Sequence, residues 1–301
     1  MSKGFIGISP DLDVTLPGGA WKPFDCCSRR TNACLLSLCP QYSKVEPISW
    51  ELLELVHSKE YLDTLRRDNV ALYTIYEVGD TDDTYNFDHY ILTPLRRHVA
   101  GLIQATREAF LSGSIVIVPE SGYHHASRNK GDGGCIFADV PLAWHMIKTP
   151  NSRALYIDVD VHHANGFATY ASDDFFIMDM YNDEIWPDER VPVQIACPYK
   201  SGIGNKAFIT LLMDGLRRAE QELPAVNVVF YMCSNDALQG DPLGHVNITE
   251  RAIYQRDAIV VKWARDRNLP LIIMPSRGYG PSSCRVARES MLRLNDEYKI
   301  F

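Results

Sequence analysis

Arg153-Ala-Leu-Tyr-Ile-Asp158-Val-Asp160-Val-His162-His163-Ala-Asn165-Gly166-Phe-Ala-Thr-Tyr170 is the stretch on which the reading of this chain turns. Ala154 to Ile157 is an unbroken apolar run of the buried kind, which predicts a strand. Asp158, Asp160 and His162 follow two residues apart, so they share one face for as long as strand geometry lasts. Two carboxylates and an imidazole therefore converge at the strand's carboxyl end, where open α/β sheets bind their ligands. Burying that much polarity is costly unless something pairs it, and oxygen and nitrogen donors of this kind suit a hard or borderline cation. A strand that merely runs out into a polar loop accounts for one acid there, not for Asp-x-Asp-x-His-His followed by Ala-Asn-Gly.

Working outward, the same arrangement recurs. Residues 96–113 read as a long amphipathic helix ended by Gly113, and Ser114 to Val118 as a short buried strand. Directly after it comes Pro119-Glu-Ser-Gly122-Tyr123-His124-His125-Ala126. A His-His pair alone could equally be one core and one surface histidine, but it stands one β-α unit before the Asp158 strand, which points to a shared site. Gly131-Asp-Gly133-Gly134-Cys135 is a flexible connection, and residues 136–147 should be helical. Phe175 to Tyr181 is another apolar strand, and the loop over 182–200, with Trp186-Pro187, could fold over the mouth of a cleft. A helix over 205–222 leads to the strand Val226 to Cys233, of parallel-sheet type. That strand delivers Asp236 and Asp241, either of which could supply a third ligand to a cation approached by Asp160 and His162. Thr249 or Asn247 caps a helix over 250–266, Leu269 to Met274 is the last strand, Ser276-Arg277-Gly278-Tyr279 follows it, and a helix over 283–294 closes the chain.

Upstream, Ser49 caps a helix over 47–57, a second helix begins at Ser58, and His57 between them suits a structural hydrogen bond at least as well as chemistry. Residues 1–30 are irregular, with Trp21 and Phe24 as natural anchors, and a short helix fits 28–38. Gly79 to Asp88 is an acidic loop. Helix and strand alternate throughout with no linker or repeat, which predicts a single α/β domain over 1–301 with a parallel sheet and one composite site.

Bulk properties agree. The chain has 301 residues, of which 46% are hydrophobic, enough for one large core. A net charge of -8 without charge blocks argues against direct nucleic-acid binding. The eight cysteines, at 26, 27, 34, 39, 135, 197, 233 and 284, lack zinc-finger spacing and fit a reducing compartment, cytoplasmic or nuclear. No secretory signal or membrane span is expected.

The ordered motifs Lys22-Pro-Phe-Asp25, Pro94-Leu-Arg-Arg97, Gly122-Tyr-His-His125, Asp158-Val-Asp-Val-His-His163, Ile177-Met-Asp-Met-Tyr-Asn182, Gly240-Asp-Pro-Leu-Gly244 and Ser276-Arg-Gly-Tyr279 cover nearly the whole chain. In this order and spacing the chain resembles the zinc-dependent histone deacetylases, and the Ile177 to Asn182 segment resembles the class IV branch. The resemblance implies a three-layer arginase/deacetylase-like fold, a central mostly parallel sheet flanked by helices. It implies that Asp160, His162 and Asp241 hold one zinc ion, that His125 is the general base, that His124 is its electrostatic partner hydrogen-bonded to Asp158, and that Tyr279 stabilises the oxyanion. It further implies a structural potassium ion at Asp158, Asp160 and the His162 backbone, near Met178 and Asp179. The substrate would be an acylated lysine of a peptide or protein, with a multiprotein complex able to supply specificity.

Two departures bear on the substrate channel. Gly133-Gly134-Cys135 stands where the family usually has Gly-Phe-Cys, so an aromatic wall is missing and a long acyl chain gains room, with Tyr181 a candidate for the opposite wall. Arg277 replaces the usual glycine before Gly-Tyr and could pair with an acid, bind an anionic product or disturb Tyr279. The rivals are an arginase-like two-metal ureohydrolase, a hydrolase of acetylpolyamines or other small amides, and a catalytically weak acyl-lysine-binding module.

Overall fold

The computed structural model describes residues 45–77, 85–119 and 121–300, with isolated positions at 7–8, 35, 38 and 42–43. The expected anchors Trp21 and Phe24, most of the helix over 28–38, Cys26, Cys27, Cys34 and Cys39, and the greater part of the acidic loop at 79–88 lie outside the described residues.

Two short strands, β1 (Gly7–Ile8) and β2 (Tyr42–Ser43), pair in parallel. The main sheet has β3 (Ile115–Ile117), β4 (Ala154–Asp158), β5 (Phe175–Asp179), β6 (Ile195–Ala196), β7 (Val228–Met232) and β8 (Leu271–Met274). Their order is β3-β8-β7-β4-β5-β6, and every pairing is parallel. Residue Ala154 registers with Phe175 on one side and Val228 on the other, so β4 lies in the middle of the sheet. All five of its residues are buried. An uninterrupted apolar sequence is what a strand covered on both faces requires.

The connections fix where a site can form. After β4 the chain moves outward to β5 and β6; it then returns to β7 on the other side of β4 and moves away to β8. Loops leaving the carboxyl ends of β4 and β7 therefore diverge, opening a crevice at a topological switch point. Two apolar layers cover the faces. Tyr156, Phe230 and Ile272 pack on one side with the helices Thr93–Ser112 and Asp139–Ile147. Leu155, Ile157, Tyr231 and Ile273 pack on the other with Asn205–Glu222, Glu250–Asp266 and Ser283–Tyr298. The three-layer parallel α/β architecture expected from the sequence is the one observed.

Boundaries moved where local chemistry intervened. The long helix begins at Thr93 instead of residue 96, because Pro94 suits the first helical turn and a π-turn, Asp88–Leu92, leads into it. It ends as expected at Gly113, whose φ of 69° only glycine adopts without penalty. The helix expected from residue 136 starts at Asp139, because Ala138 is held outside it by donating its N–H to His57 Nε2 at 2.9 Å. The short helix Asn69–Ile75 and strand β6 were not anticipated. Thr249 is the N-cap of Glu250–Asp266, but its hydroxyl makes no cap bond and accepts from Asn205 Nδ2 instead. Cys135, Cys197 and Cys233 are free and buried, as small core residues should be, whereas Cys284 is disulfide-bonded, a feature that the reading of the cysteines as reduced did not anticipate. Among the described residues no helix is long and apolar enough to cross a membrane.

Candidate active site

Four loops meet at the carboxyl edge of the sheet. From β4, Asp158 and Asp160 are fully buried, and each carboxylate braces the turn that follows: Asp158 Oδ1 accepts from Asp160 N and Asp160 Oδ1 from His162 N, both at 2.9 Å. From β7 comes Asp236, also fully buried. His162 Nδ1 lies 2.8 Å from Asp160 Oδ1 and 3.3 Å from Asp236 Oδ2. One donor atom from each of Asp160, His162 and Asp236 falls within 4.8 Å of the others, the only such group among the described residues.

The expected ligand set had Asp241 as its third member, whereas the structure brings Asp236 to Asp160 and His162. Asp241 Oδ2 accepts the backbone N–H of Tyr279 at 2.7 Å and of Gly280 at 2.9 Å, and its Oδ1 accepts from Leu243 N at 3.0 Å. Its carboxylate is committed to the backbone of the tyrosine-bearing loop. Asp236 was one of the two acids that the β7 loop offered; the choice between them depends on how the chain turns after Cys233, which neither residue type reveals.

The donors fit a divalent cation. Asp160 Oδ2 and Asp236 Oδ2 are buried and have no hydrogen-bond partner. Orphaned carboxylate oxygens facing an imidazole are costly unless a cation completes them. Burial opposes a charge on His162, yet the carboxylates of Asp160 and Asp236 beside it hold its pKa up at about 10, a concentration of negative charge that a metal ion would relieve. Burial and the neighbouring Asp160 charge push Asp236 up to about 7.

The paired histidines lie beside this trio. Their loop is fastened by Asp139, whose carboxylate accepts from Gly122 N at 2.8 Å, Tyr123 N at 3.0 Å and Val140 N at 2.9 Å. The two rings stand 4.0 Å apart between centroids, and each leans on a different partner. His124 Nδ1 is 2.8 Å from Asp158 Oδ2, which also accepts from the Tyr156 hydroxyl at 2.8 Å. His125 Nδ1 is 2.8 Å from Asn165 Oδ1. Burial disfavours a charge on both. For His124 the carboxylates of Asp158 and Asp160 more than offset it, so its pKa is raised. For His125, burial is reinforced by the charges of His124 and His162, and its pKa is pushed well below the ordinary histidine value. Adjacent imidazoles are thus driven apart, one toward the charged form and one toward the neutral base.

Asn165 escaped the sequence reading, although Ala-Asn-Gly was visible. The short helix Asn165–Ala168 docks against the histidine loop, with Phe167 N donating to His124 O at 2.9 Å. A Cβ on Gly166 would come within 2.3 Å of the His125 carbonyl carbon, so only glycine permits the contact that brings Asn165 to His125. His163 is structural in its contacts: Nδ1 lies 2.6 Å from Asp179 Oδ2, and Nε2 accepts from Val191 N at 3.0 Å.

The residues expected along the channel have distinct settings. Tyr181 is buried against His163, at 4.6 Å between centroids, with the Arg190 guanidinium over its ring. The aromatic beside the paired histidines is instead Trp186, 4.5 Å from the His125 ring and 6.0 Å from His162. It fills space that glycine leaves, since a Cβ on Gly133 would meet the Trp186 ring at 2.6 Å. Gly134 has a φ of 72° and donates its N–H to Ile75 O. Arg277 has a φ of 22°, places Nη2 3.0 Å from Cys135 Sγ, and lies over the Tyr123 ring. Tyr279 is partly buried on the loop after β8, on the side of the sheet that carries the histidine pair.

A parallel three-layer α/β domain with a buried Asp-His-Asp trio and two differently tuned histidines at its switch point has the equipment of a metal-assisted amide hydrolase. Residues 27–294 match the Histone deacetylase domain, and the chain belongs to the histone deacetylase family, hydrolases of amides whose members act on acetylated lysine. It is 34% identical to Histone deacetylase 2 of Arabidopsis thaliana, over 98% of this chain and 79% of the plant protein. It is 25% identical to Histone deacetylase 1 of Homo sapiens, over 74% of this chain and 49% of the human protein. Among solved structures it resembles a histone deacetylase homologue from Aquifex aeolicus, at a TM-score of 0.77 and 19% identity, over 97% of this chain and 83% of that one. It is similar in fold also to acetylpolyamine aminohydrolase from Burkholderia pseudomallei, at a TM-score of 0.75 and 16% identity, covering 97% and 98%.

Proposed function

We propose that this chain is a zinc-dependent hydrolase of acyl-lysine amides, with the ion held by Asp160, His162 and Asp236. The observation that carries the reading is the gathering of donor atoms from Asp160, His162 and Asp236 within 4.8 Å of one another beside His125, with Asp160 Oδ2 and Asp236 Oδ2 buried and unpartnered. When bound, zinc supplies Lewis acidity to the amide carbonyl and to the attacking water.

The chain's own groups handle the proton and the developing charge. With the Asn165 amide oxygen as acceptor, His125 carries its proton on Nδ1 and keeps Nε2 free to take one from water. The same nitrogen returns that proton to the departing lysine amine. His124, held by Asp158, places positive charge next to the reacting centre. Tyr279 donates its hydroxyl to the oxyanion, and Asp241 fixes the path of its loop through two backbone bonds. The one candidate group among the described residues has three donor residues, too few to hold two ions, which weighs against the two-metal ureohydrolase reading.

Gly134, without a side chain, extends the reading to long acyl chains, with Trp186 supplying the aromatic surface. A monovalent cation, potassium, beside Asp158, Asp160, His162 and Asp179 belongs to the same reading, supported by the buried, unpartnered Asp179 Oδ1. The class IV-like assignment rests on Ile177 to Asn182. The deciding experiment is a matched panel of lysine peptides differing only in acyl length, run with measured zinc content and an Asp160→Ala control. Release of free lysine by the zinc-loaded chain and not by the control supports the reading. No hydrolysis of any member by fully loaded protein overturns it in favour of an acyl-lysine-binding module. A higher kcat/KM on acetyl-lysine than on long-chain acyl-lysine overturns the long-chain extension alone.

A further inference from the structure

Arg256 is fully buried and heads the largest side chains with no exposure, yet it lies on the helix Glu250–Asp266, behind the sheet from the histidine pair. An arginine there must pair its charge and satisfy its donors, and two of its three partners lead toward the site. Its Nε donates to Asp257 Oδ1 at 2.8 Å, a carboxylate that also accepts from the Tyr231 hydroxyl at 2.7 Å and from Ser290 Oγ. Its Nη1 donates to the carbonyl of Ser234, and its Nη2 reaches Asn235 Oδ1 at 3.4 Å.

Those two residues lead to two halves of the active centre. Ser234 Oγ donates to Asp236 Oδ1 at 2.7 Å, and Val161 N donates to the same oxygen at 3.3 Å, so that Oδ2 is the atom left to face His162. Asn235 N donates to Arg277 O at 3.0 Å, and Asn235 Nδ2 to Ser283 O at 3.3 Å, pinning the loop that carries Tyr279. We propose that Arg256 is a positioning residue that, through Ser234 and Asn235, sets the metal-ligand loop and the tyrosine loop in register from the far side of the sheet. A guanidinium suits this because its rigid fork addresses three acceptors in fixed directions, which a lysine cannot do.

The inference rests on the zinc reading above and is tested on the full chain. Zinc affinity is measured by chelator competition, kcat and KM on an acetyl-lysine peptide, and stability by thermal unfolding. Arg256→Met should weaken zinc binding by roughly 10–100-fold, the range for outer supports of a metal site, and lower kcat with little change in KM. Arg256→Lys should recover only part of each. Removing the charge pair together, in Arg256→Met with Asp257→Leu, should return much of the stability lost by the single variant while zinc affinity stays low. Asn235→Ala removes the side-chain links from Arg256 and to Ser283 O while the backbone bond to Arg277 stays, so the tyrosine loop loosens without touching the metal-ligand branch and kcat falls about 10-fold while zinc affinity is kept. If the single variant does not fold, the double variant and Asn235→Ala carry the test. Zinc affinity that returns with stability in the double variant, or wild-type kcat in Asn235→Ala, overturns the proposal by reducing Arg256 to a core ion pair. A wild-type chain that binds no zinc overturns the zinc reading and this inference together, whereas tight wild-type binding with unaffected variants overturns this inference alone.

Discussion

His125 Nδ1 lies 2.8 Å from the side-chain amide oxygen of Asn165, whereas its neighbour His124 has a carboxylate at the same distance. An amide orients the ring and fixes its tautomer without adding charge, so burial and the adjacent cations keep His125 neutral. Asn165→Asp should therefore raise the His125 pKa, since a carboxylate favours the imidazolium. A group that must be neutral to act is lost as pH falls through its pKa, so the acid limb of kcat/KM moves to higher pH, by about one unit or more. Asn165→Ala should lower kcat by roughly 10–100-fold across the whole profile without that displacement. Steady-state rates from pH 5 to 9 distinguish the two.

Asp236 and Asp241 stand five residues apart and should fail differently. Asp236→Ala removes a donor from the trio and should leave well under ~0.1 zinc per chain after dialysis against buffer. Asp241→Ala should retain close to one zinc, because its carboxylate serves the Tyr279 and Gly280 amides, but should lose about 100-fold in kcat as the tyrosine loop loosens. Metal analysis beside kinetics on the two variants checks both. Zinc lost from Asp241→Ala and kept in Asp236→Ala would reverse the assignment.

The contrast shows what was legible in the sequence. Period-two spacing put Asp158, Asp160 and His162 on one strand end, and four apolar runs each followed by a polar cluster implied the parallel sheet. These signals are local, and the structure follows them closely. Asn165, Trp186 and the choice of Asp236 over Asp241 depend on how loops fold over one another. Trp186 reaches His125 because Gly133 leaves room for its ring, a relation between residues 53 apart in sequence with no local mark. Arg256 was hidden for the opposite reason: on a helix of otherwise ordinary amphipathic pattern, one arginine among five buried apolar neighbours and an aspartate reads as surface.

Trp186 should matter more for short acyl groups than for long ones. Its ring packs beside His125 and His162 and against Gly133, so Trp186→Ala opens that wall. A short acyl-lysine loses the contact that holds its methylene stem, and kcat/KM should fall by about 10–200-fold. A long chain, with further surface to bury, should lose less. The ratio of the two specificity constants, measured on matched peptides, should move toward the long chain, and an unchanged ratio counts against Trp186 as a channel wall.

His57 provides a stability switch separate from catalysis. It is fully buried, its Nε2 accepts from Ala138 N at 2.9 Å, and burial lowers its pKa to about 4. In the unfolded chain the same group titrates near 6.5, so above that pH it is neutral in both states and its contribution is fully present. As pH falls from 6.5 toward 4 the unfolded state takes up a proton that the folded state refuses. Stability should drop by up to roughly 3 kcal/mol over that window. Buried Asp139, raised to about 6, acts in the opposite sense as acid is added, so the total slope alone does not isolate His57. His57→Gln keeps an acceptor for Ala138 N but cannot titrate. Urea unfolding of both proteins between pH 4 and 7.5 should therefore show the wild type losing stability relative to the variant below pH 6.5, and parallel curves would remove His57 from that role.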